Sequence, residues 1–312
     1  MDGLKPRPLV SIVVVTWNSA SFLARCLAAL RAQTHEPVEI IIIDNASQDD
    51  SVAICRRAGF DVIRNDSNRG FSAAVNQAIA RAKGEFVLLC NPDAFLDPRY
   101  VEELVNAMQS SSDIGSSTGT LMRDDGSGID TMGIRMTRSG RHLDIVSAEA
   151  VNDIFGVSGA AGMYRMSFLN DVAISGEIFD EDFFAYREDA DIAWRGRLFG
   201  WRAIHVPAAT GRHVRRVTPE RRRALPREIN MHSVKNRFLL RLKNEGWPLA
   251  LLHAPFELVR DLIVIAASLT IERSSLPAFA WLWKNRRRVW AKRRIIQSRR
   301  KVSDLKLARW FR

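Results

Sequence analysis

Two stretches decide the fold class: LVSIVVVT at residues 9–16 and VEIIII at residues 38–43. Both consist largely of β-branched residues, and near-continuous apolar runs of this length are typical of strands buried on both faces. The apolar residues between them, from Phe22 to Leu30, recur at helical spacing and predict an amphipathic helix. This order of strand, helix and strand predicts an α/β protein with a mostly parallel, doubly wound sheet.

The alternation of strands and helices continues as far as Cys90. The sequence predicts a helix at Ser51–Ala58, a strand at Asp61–Arg64, a helix at Phe71–Lys83 and a strand at Glu85–Cys90. Polar residues follow the first, second and fourth strands: Trp17-Asn18, Asp44-Asn45 and Asn91-Pro92-Asp93. Because ligands of doubly wound sheets bind beyond the carboxyl ends of the strands, these polar clusters are candidates for a binding site.

The second half of the chain has a less regular pattern. The stretch Ser110–Asn152 is rich in Gly, Ser and Asp and shows weak periodicity, so it predicts loops and pieces of hairpins. Regular structure is predicted again at Phe155–Arg165, as a helix at Asp189–Leu198, as a strand at Arg202–Val206 and as a helix at Ile229–Lys243.

Composition and cysteine use favour a globular protein of a reducing compartment. Of the 312 residues, 46% are hydrophobic, which is enough for a sizeable core. The three cysteines are scattered and have no metal-like spacing, which argues against a disulfide framework. No secretory signal is visible, and no apolar run has the length of a membrane-spanning helix. We therefore expect a cytoplasmic protein whose membrane contact is peripheral.

The net charge of +11 is concentrated at the C-terminus. Residues 273–312 contain fourteen Lys or Arg and a single acid, a net charge of +13, whereas the rest of the chain has a net charge of −2. The region combines this charge with Trp281, Trp283 and Trp290 and follows a mostly apolar stretch, Trp247–Thr270. Aromatic and basic residues at helical spacing favour an anionic membrane surface, although nucleic acid or packing on the rest of the chain would also fit.

Four segments resemble the family 2 glycosyltransferases, which have the GT-A fold, and in particular the bacterial rhamnosyltransferase-like group. The segments are SIVVVTWN at 11–18, IIIIDNASQDDS at 40–51, NRGFSAAVNQAIARAKGEFVLLCNPDAFL at 68–96 and FDEDFFAYREDADIAWRGRLFGW at 179–201. The resemblance implies an inverting transfer of a sugar, with rhamnose as one candidate, from a nucleotide-diphosphate donor to a glycan or lipid-linked acceptor. It also implies a catalytic domain at 1–245, followed by a basic helical region at 246–312 that we expect at the membrane surface. Oligomers are possible.

On the donor side, the resemblance implies a nucleotide site built around Asp44, whose carboxylate would accept hydrogen bonds from the base. The residues implied around the nucleotide are Thr16, Trp17, Asn18, Asn45 and Ser47. Those implied against the diphosphate or the sugar are Arg69, Gly70, Phe71 and Asn76. Asn91 also belongs to the donor side, where it would support the metal site by hydrogen bonding without adding charge. A helix N-terminus after Gly70 would favour an anion there. Without the resemblance, an Asp-Asn pair is an ordinary turn, and Asn68-Arg69-Gly70-Phe71 is an ordinary start of a helix.

Asn91-Pro92-Asp93 occupies the place of the family's metal-binding Asp-x-Asp, with an amide in place of the first carboxylate. The resemblance implies that Asp93 binds Mg²⁺ or Mn²⁺, which would neutralise charge on the leaving diphosphate. It implies His213 as a further metal ligand, although an exposed loop histidine is an equal alternative.

The resemblance marks Glu188 and Asp189 as the acidic pair of the active site, with Asp189 as the general base. Asp189 could instead cap the following helix, and Asp191 with Arg195 predicts an ion pair on the helix surface. The other functions considered are an inactive homologue that still binds its donor, and a binding module for membranes or nucleic acid. A dinucleotide-binding oxidoreductase is excluded because no Gly-x-Gly-x-x-Gly follows the first strand. The acidic motifs favour catalysis, because a basic binding tail would not explain them.

Overall fold

The computed structural model describes residues 6–146, 152–215 and 227–312. Its strands are β1 Val10–Thr16, β2 Val38–Asp44, β3 Val62–Arg64, β4 Phe86–Cys90, β5 Ala94–Leu96, β6 Ile114–Arg123, β7 Ile129–Thr131, β8 Ile134–Met136, β9 His142–Asp144, β10 Asp153–Ile154, β11 Ala161–Arg165 and β12 Arg202–His213. Its α-helices are α1 Ala20–Arg31, α2 Ser51–Arg57, α3 Phe71–Ile79, α4 Tyr100–Gln109, α5 Met166–Val172, α6 Glu188–Phe199, α7 Arg227–Asn244, α8 Trp247–Thr270, α9 Pro277–Lys284, α10 Arg286–Ser298 and α11 Asp304–Ala308.

The main sheet has the strand order β10-β12-β6-β11-β4-β1-β2-β3. Strands β3, β2, β1 and β4 are parallel, and β6 is parallel to β12, whereas β11 runs antiparallel between β4 and β6. The predicted α/β class with a mostly parallel sheet is confirmed. The central strands are buried on both faces of the sheet, because helices cover both faces. In β1, Val10, Ile12 and Val14 pack in one apolar cluster and Val13 packs in the other.

The stretch predicted as loops and hairpin pieces contains the antiparallel pairs β6–β7 and β8–β9, but the prediction missed that β6 is a ten-residue strand of the main sheet. Ser116, Ser117 and Thr118 of β6 are buried between neighbouring strands. The strand carries little apolar periodicity because small polar residues fill its positions. Strand β12 also continues to His213, seven residues beyond the predicted end at Val206.

Helix α6 is buried on most of its surface, and the predicted surface ion pair between Asp191 and Arg195 is an interior one. Both side chains are at most 1% exposed, and Arg195 Nε donates to Asp191 Oδ2 over 2.9 Å. The other carboxylate oxygen, Oδ1, accepts from Asn244 Nδ2 at 2.7 Å and lies 3.0 Å from Lys243 Nζ. These contacts link α6 to α7. They also supply the partners that a buried charge requires.

The C-terminal helices fold back on the rest of the protein, and part of their positive charge is used there. Lys292 of α10 lies 2.9 Å from Glu177, 2.6 Å from Asp180 and 3.1 Å from Asp182, and Arg288 also contacts Asp182. The predicted role of the basic region at a membrane surface therefore applies only to its remaining exposed charges.

Helix α8 turns a polar face inward and an apolar face outward. Its buried positions include His253 and Glu257, whereas Leu251, Leu258 and Leu262 are 76%, 61% and 65% exposed. Within the described ranges, no helix combines the length and apolar character that crossing a membrane requires.

Candidate active site

The loops after β1 and β2 form one hydrogen-bonded unit. Thr16 and Asp44 are partners in the parallel register, and Asn45 N donates to Thr16 O over 2.8 Å. Asn18 N donates to Ser47 Oγ at 3.0 Å, and Asn18 Oδ1 accepts from Gln48 N at 2.8 Å. The predicted nucleotide-site residues Thr16, Trp17, Asn18, Asp44, Asn45 and Ser47 are thus brought together at the carboxyl edge of the sheet.

Asp44 presents a buried acceptor at this edge. Its Oδ2 accepts from Ser47 N at 3.1 Å and lies 3.6 Å from Arg64 Nε. Its Oδ1 is buried without a hydrogen-bond partner among the described residues, as is Thr16 Oγ1. Beside them, Trp17 is 52% exposed. Orphaned buried oxygens next to an exposed aromatic ring fit a site for a planar, hydrogen-bonding group such as a nucleotide base.

Asn45 holds the neighbouring loop, because its side chain is fully engaged within the protein. Its Nδ2 donates to Asn68 Oδ1 at 2.9 Å and to Gly70 O at 3.1 Å, and its Oδ1 accepts from Arg69 N at 3.1 Å. This geometry favours a positioning role for Asn45 over direct contact with a donor. The loop leaves Arg69 exposed at the start of α3.

Gly70 and Asn76 join α3 to the segment before the acidic pair. Gly70 has φ +85°, and an added Cβ would lie 2.6 Å from the Phe184 ring. Asn76 Oδ1 accepts from Phe179 N at 2.8 Å, and its Nδ2 donates to Phe179 O at 2.7 Å. Asn76 therefore connects two segments of the protein, and the half-buried Phe71 begins the helix between them.

Asp93 and His213 meet because β5 and β12 pair antiparallel. His213 is the register partner of Ala94, the residue after Asp93, and His213 Nε2 lies 3.3 Å from Asp93 Oδ1. His213 Nδ1 lies 2.8 Å from Asp130 Oδ2, and Arg215 Nε lies 2.7 Å from Asp130 Oδ1. Sequence reasoning missed Asp130, which lies in the stretch predicted as loops.

Asp130 and Asp93 govern the charge of His213. Burial alone would lower the pKa of His213, but its hydrogen bonds to the two carboxylates outweigh burial and raise that pKa to about 9. A carboxylate on Nδ1 that directs Nε2 toward a second carboxylate is the arrangement in which histidine serves as a metal ligand. Asp93 and His213 therefore fit a divalent ion. Two protein ligands leave coordination positions for diphosphate oxygens and water.

Glu188 and Asp189 begin α6 and are buried beside the loop at Gly159. Asp189 Oδ2 accepts from Gly159 N at 3.2 Å, and Oδ1 accepts from Ala190 N at 2.7 Å. Arg187, not Asp189, holds the N-cap position of the helix. Burial raises the pKa of Asp189 to about 6, and burial together with the neighbouring Asp189 raises the pKa of Glu188 to about 8. The two carboxyl groups titrate as a coupled pair, and burial disfavours the state in which both are ionised.

The Gly159-Ala160 loop connects the acidic pair with the Asn91–Asp93 turn. Gly159 contacts Asp189, and Ala160 O accepts from Asn91 N at 2.8 Å. Asn91 is half-buried at this junction. The structure thus joins the predicted metal ligand and the predicted base through one short backbone segment.

Sequence reasoning also missed Asn236 of α7. Its Nδ2 donates to Phe183 O, Ala185 O and Tyr186 O at 2.7 to 2.9 Å. These acceptors flank an unusual turn in which Phe184, Tyr186 and Arg187 all have positive φ. Non-glycine residues adopt positive φ at a cost and need support from their surroundings, so Asn236 helps to hold the turn that leads into Glu188.

This arrangement matches a known class of enzymes. The sequence model of glycosyl transferase family 2 matches residues 11–173, and the chain belongs to this family. The predicted membership is confirmed. The acidic pair at 188–189 lies beyond the matched residues.

Curated relatives support the same grouping. The chain is 27% identical over 237 residues to an N-acetylglucosaminyl-diphospho-decaprenol L-rhamnosyltransferase of Mycobacterium tuberculosis, which covers 66% of this chain and 76% of the relative. It is 32% identical over 112 residues to a putative glycosyltransferase, EpsH, of Bacillus subtilis, covering 34% of this chain and 32% of the relative. The second match thus spans about a third of that relative's length.

Solved structures confirm the GT-A fold. The mannosyltransferase PcManGT from Pyrobaculum calidifontis, in complex with GDP-Man and Mn²⁺, superposes with a TM-score of 0.56 at 20% identity, covering 94% of this chain and 86% of that one. S. aureus TarS gives a TM-score of 0.54 at 18% identity, covering 75% of this chain and 40% of that one.

Proposed function

We propose that this chain is an inverting glycosyltransferase that moves a sugar from a nucleotide-diphosphate donor to a hydroxyl group of a glycan or lipid-linked acceptor. The observation that carries the proposal is the junction at Gly159-Ala160, which connects the buried pair Glu188-Asp189 with the Asn91–Asp93 turn. A buried base that is joined through this short segment to a candidate metal ligand suits the displacement of a diphosphate.

In this proposal the residues divide between binding and chemistry. Asp44 and Thr16 receive the base, and Arg69 lies at the helix start where the diphosphate would bind. A divalent ion, Mg²⁺ or Mn²⁺, at Asp93 and His213 would neutralise charge on the leaving diphosphate.

Asp189 accepts the proton of the acceptor hydroxyl as that oxygen attacks the anomeric carbon. The bond from the anomeric carbon to the diphosphate oxygen breaks, the nucleoside diphosphate leaves, and the anomeric configuration inverts. The proton ends on the Asp189 carboxylate. The relative named as an L-rhamnosyltransferase supports rhamnose as a donor sugar, and its decaprenol-linked substrate supports a lipid-linked acceptor here.

We further propose that the protein works at the surface of an anionic membrane, on its cytoplasmic side. The outward apolar face of α8 would contact lipid, and Trp247 and Trp290, which are 67% and 44% exposed, would lie at the interface. Arg293 lies 5.4 Å from the centre of each of these two rings, so α8 and α10 present them side by side. The exposed Arg286, Arg287 and Arg294 supply the charge for anionic headgroups. A nucleic-acid partner would not account for the apolar face.

A thermal-shift screen tests the enzymatic proposal without knowledge of the acceptor. The purified chain is heated with a panel of nucleotide-diphosphate sugars, with and without Mg²⁺ or Mn²⁺. Because a ligand that binds the native state raises its melting temperature, we expect one donor to produce a selective shift that the metal enhances. The Asp44→Asn variant should lose this shift. A panel that produces no shift in the wild type contradicts donor binding and with it the proposed function.

A further inference from the structure

Three side chains that can bind a metal converge where α7 is followed by α8. Glu245 lies in the short connection between the helices, and His253 and Glu257 lie on α8. One ligand atom from each residue lies within 4.8 Å of the others. The three residues are 5%, 2% and 8% exposed, so the cluster is buried. It shares no residue with the Asp93–His213 pair.

The local sequence explains why these side chains meet. His253 and Glu257 are four residues apart, so they lie one turn apart on the same face of α8, together with the buried Leu249. Gly246 follows Glu245 and packs so closely against Asp304 that an added Cβ would collide with that carboxylate. This packing holds the connection, and Glu245 with it, against the polar face of α8.

The cluster contains polar atoms that the described residues leave unsatisfied. His253 Nδ1, Glu245 Oε1 and Glu257 Oε1 are buried and have no hydrogen-bond partner there. Nδ1 lies 3.8 Å from Glu245 Oε1, which is too long for a hydrogen bond. Buried polar atoms are normally paired, so this arrangement calls for an occupant. A proton shared between the two carboxyl groups would join them but would leave Nδ1 without a partner.

We propose that Glu245, His253 and Glu257 bind a divalent transition-metal ion of the zinc type, which fastens α8 to the end of α7. Imidazole nitrogen and carboxylate oxygen are both ligands of Zn²⁺ in proteins. Bonds of about 2.0–2.1 Å in tetrahedral geometry place ligand atoms roughly 3.3 Å apart. The 3.8 Å between Nδ1 and Glu245 Oε1 therefore needs only a small contraction.

The surroundings of the cluster suit a bound cation. Arg241 Nη1 lies 3.0 Å from Glu257 Oε2, which leaves the unpaired Oε1 for the metal. On the other side, the Phe311 ring centre lies 5.0 Å from that of His253. Glu245 and Glu257 supply two negative charges, one of which is shared with Arg241, and the aromatic ring limits access of water to the imidazole.

The test measures zinc bound to the full chain in which the candidate catalytic ligands have been replaced, Asp93→Asn with His213→Gln. After treatment with EDTA and addition of Zn²⁺ alone, we expect one zinc per chain by elemental analysis after gel filtration. We also expect a rise in melting temperature of roughly 5 °C at about one hundred times Kd. Adding His253→Asn to this protein should remove both the bound zinc and the thermal shift.

The matched control is Asp261→Asn in the same protein. Asp261 lies one turn beyond Glu257 on α8 and pairs with Arg237 and Arg241, outside the cluster. This variant should still bind one zinc. If the His253 variant does not fold, Glu257→Gln replaces it in the comparison. The proposal is overturned if the parent protein binds no zinc, or if zinc binding survives the loss of His253 or Glu257.

Discussion

The Oδ2 atom of Asp189 lies 3.2 Å from the backbone nitrogen of Gly159, and this contact fixes one face of the carboxylate that we assign as general base. Replacing it by an amide removes the base, and it also removes one of the two acceptors that now bind Gly159 N and Ala190 N. In Asp189→Asn we expect the rate of sugar transfer to fall by about 10²–10⁴-fold, the usual contribution of a general base. Donor affinity, measured by titration calorimetry, should stay nearly unchanged because Asp44 and Thr16 are untouched.

Glu188→Gln is the matched control for the base assignment. Burial and the neighbouring Asp189 raise the pKa of Glu188 to about 8, and glutamine removes its titratable group while keeping the size of the side chain. This variant should keep most of its transfer activity. The opposite pattern, an active Asp189 variant and an inactive Glu188 variant, would assign the base to Glu188.

The raised pKa of Asp189 also predicts how the rate depends on pH. A base works only when it is deprotonated, and burial raises the pKa of Asp189 to about 6. The value of kcat/KM should therefore fall about tenfold for each unit of pH below about 6 and level off above it. An exposed carboxylate would place this fall near pH 4 instead. A profile without a fall between pH 7 and pH 5 would contradict the role of Asp189.

Asn236 should affect the chemical step through the turn that it holds. In Asn236→Ala the Phe184–Arg187 turn loses its hydrogen bonds from α7, and we expect kcat to drop by up to about 10²-fold because the acidic pair shifts. The KM for the donor should change little. In Asn285→Ala, a control whose amide donates to Trp281 O at 2.8 Å, kcat should be retained. If the two variants lose the same amount of kcat and the same amount of stability, Asn236 has no specific role in the chemical step and only stabilises the fold.

The site residues that could be predicted from the sequence are those that lie next to an apolar run typical of a strand. Asp44 and Asp93 follow strands with strong apolar runs, so the parallel-sheet rule placed them at the ligand edge. Asp130 and Asn236 carry no such signal. Asp130 reaches His213 only because β7 pairs with β6 and β6 pairs with β12, and this pairing was hidden by the small polar residues of β6.

The acidic segment before α6, residues 179–187, is a second case in which contacts distant in sequence could not be predicted. Its carboxylates are among the acidic motifs that favour catalysis, since buried charge needs a reason. The structure gives Asp180 and Asp182 a different reason, since both pair with Lys292 more than a hundred residues later. A pairing across that separation leaves no periodic trace in the sequence. The same ion pairs make removal of residues 273–312 a poor test of membrane binding, because it would leave these buried acids unpaired.

Point substitutions on the outward face of α8 test membrane binding without disturbing the fold. Leu251, Leu258 and Leu262 lie on one helical face and are more than half exposed, so changing all three to Ser should leave the melting temperature nearly unchanged. Burying a leucine side chain contributes about 1.5–3 kcal/mol. Even partial insertion of three such side chains should therefore make the triple variant bind vesicles at least about tenfold more weakly in a sedimentation assay.

The contribution of the exposed arginines to membrane binding should be separable from that of the apolar face of α8. Changing Arg286, Arg287 and Arg294 to Gln removes about 1 kcal/mol of attraction each on vesicles that contain anionic lipid, and nothing on neutral vesicles. The control changes the exposed Arg81 and Lys83, which lie outside the tail, and should bind like the wild type. A different outcome is that the wild-type protein does not bind anionic vesicles but forms dimers, and that the triple leucine variant does not form dimers. This outcome would show that the apolar face of α8 contacts a second copy of the chain instead of lipid.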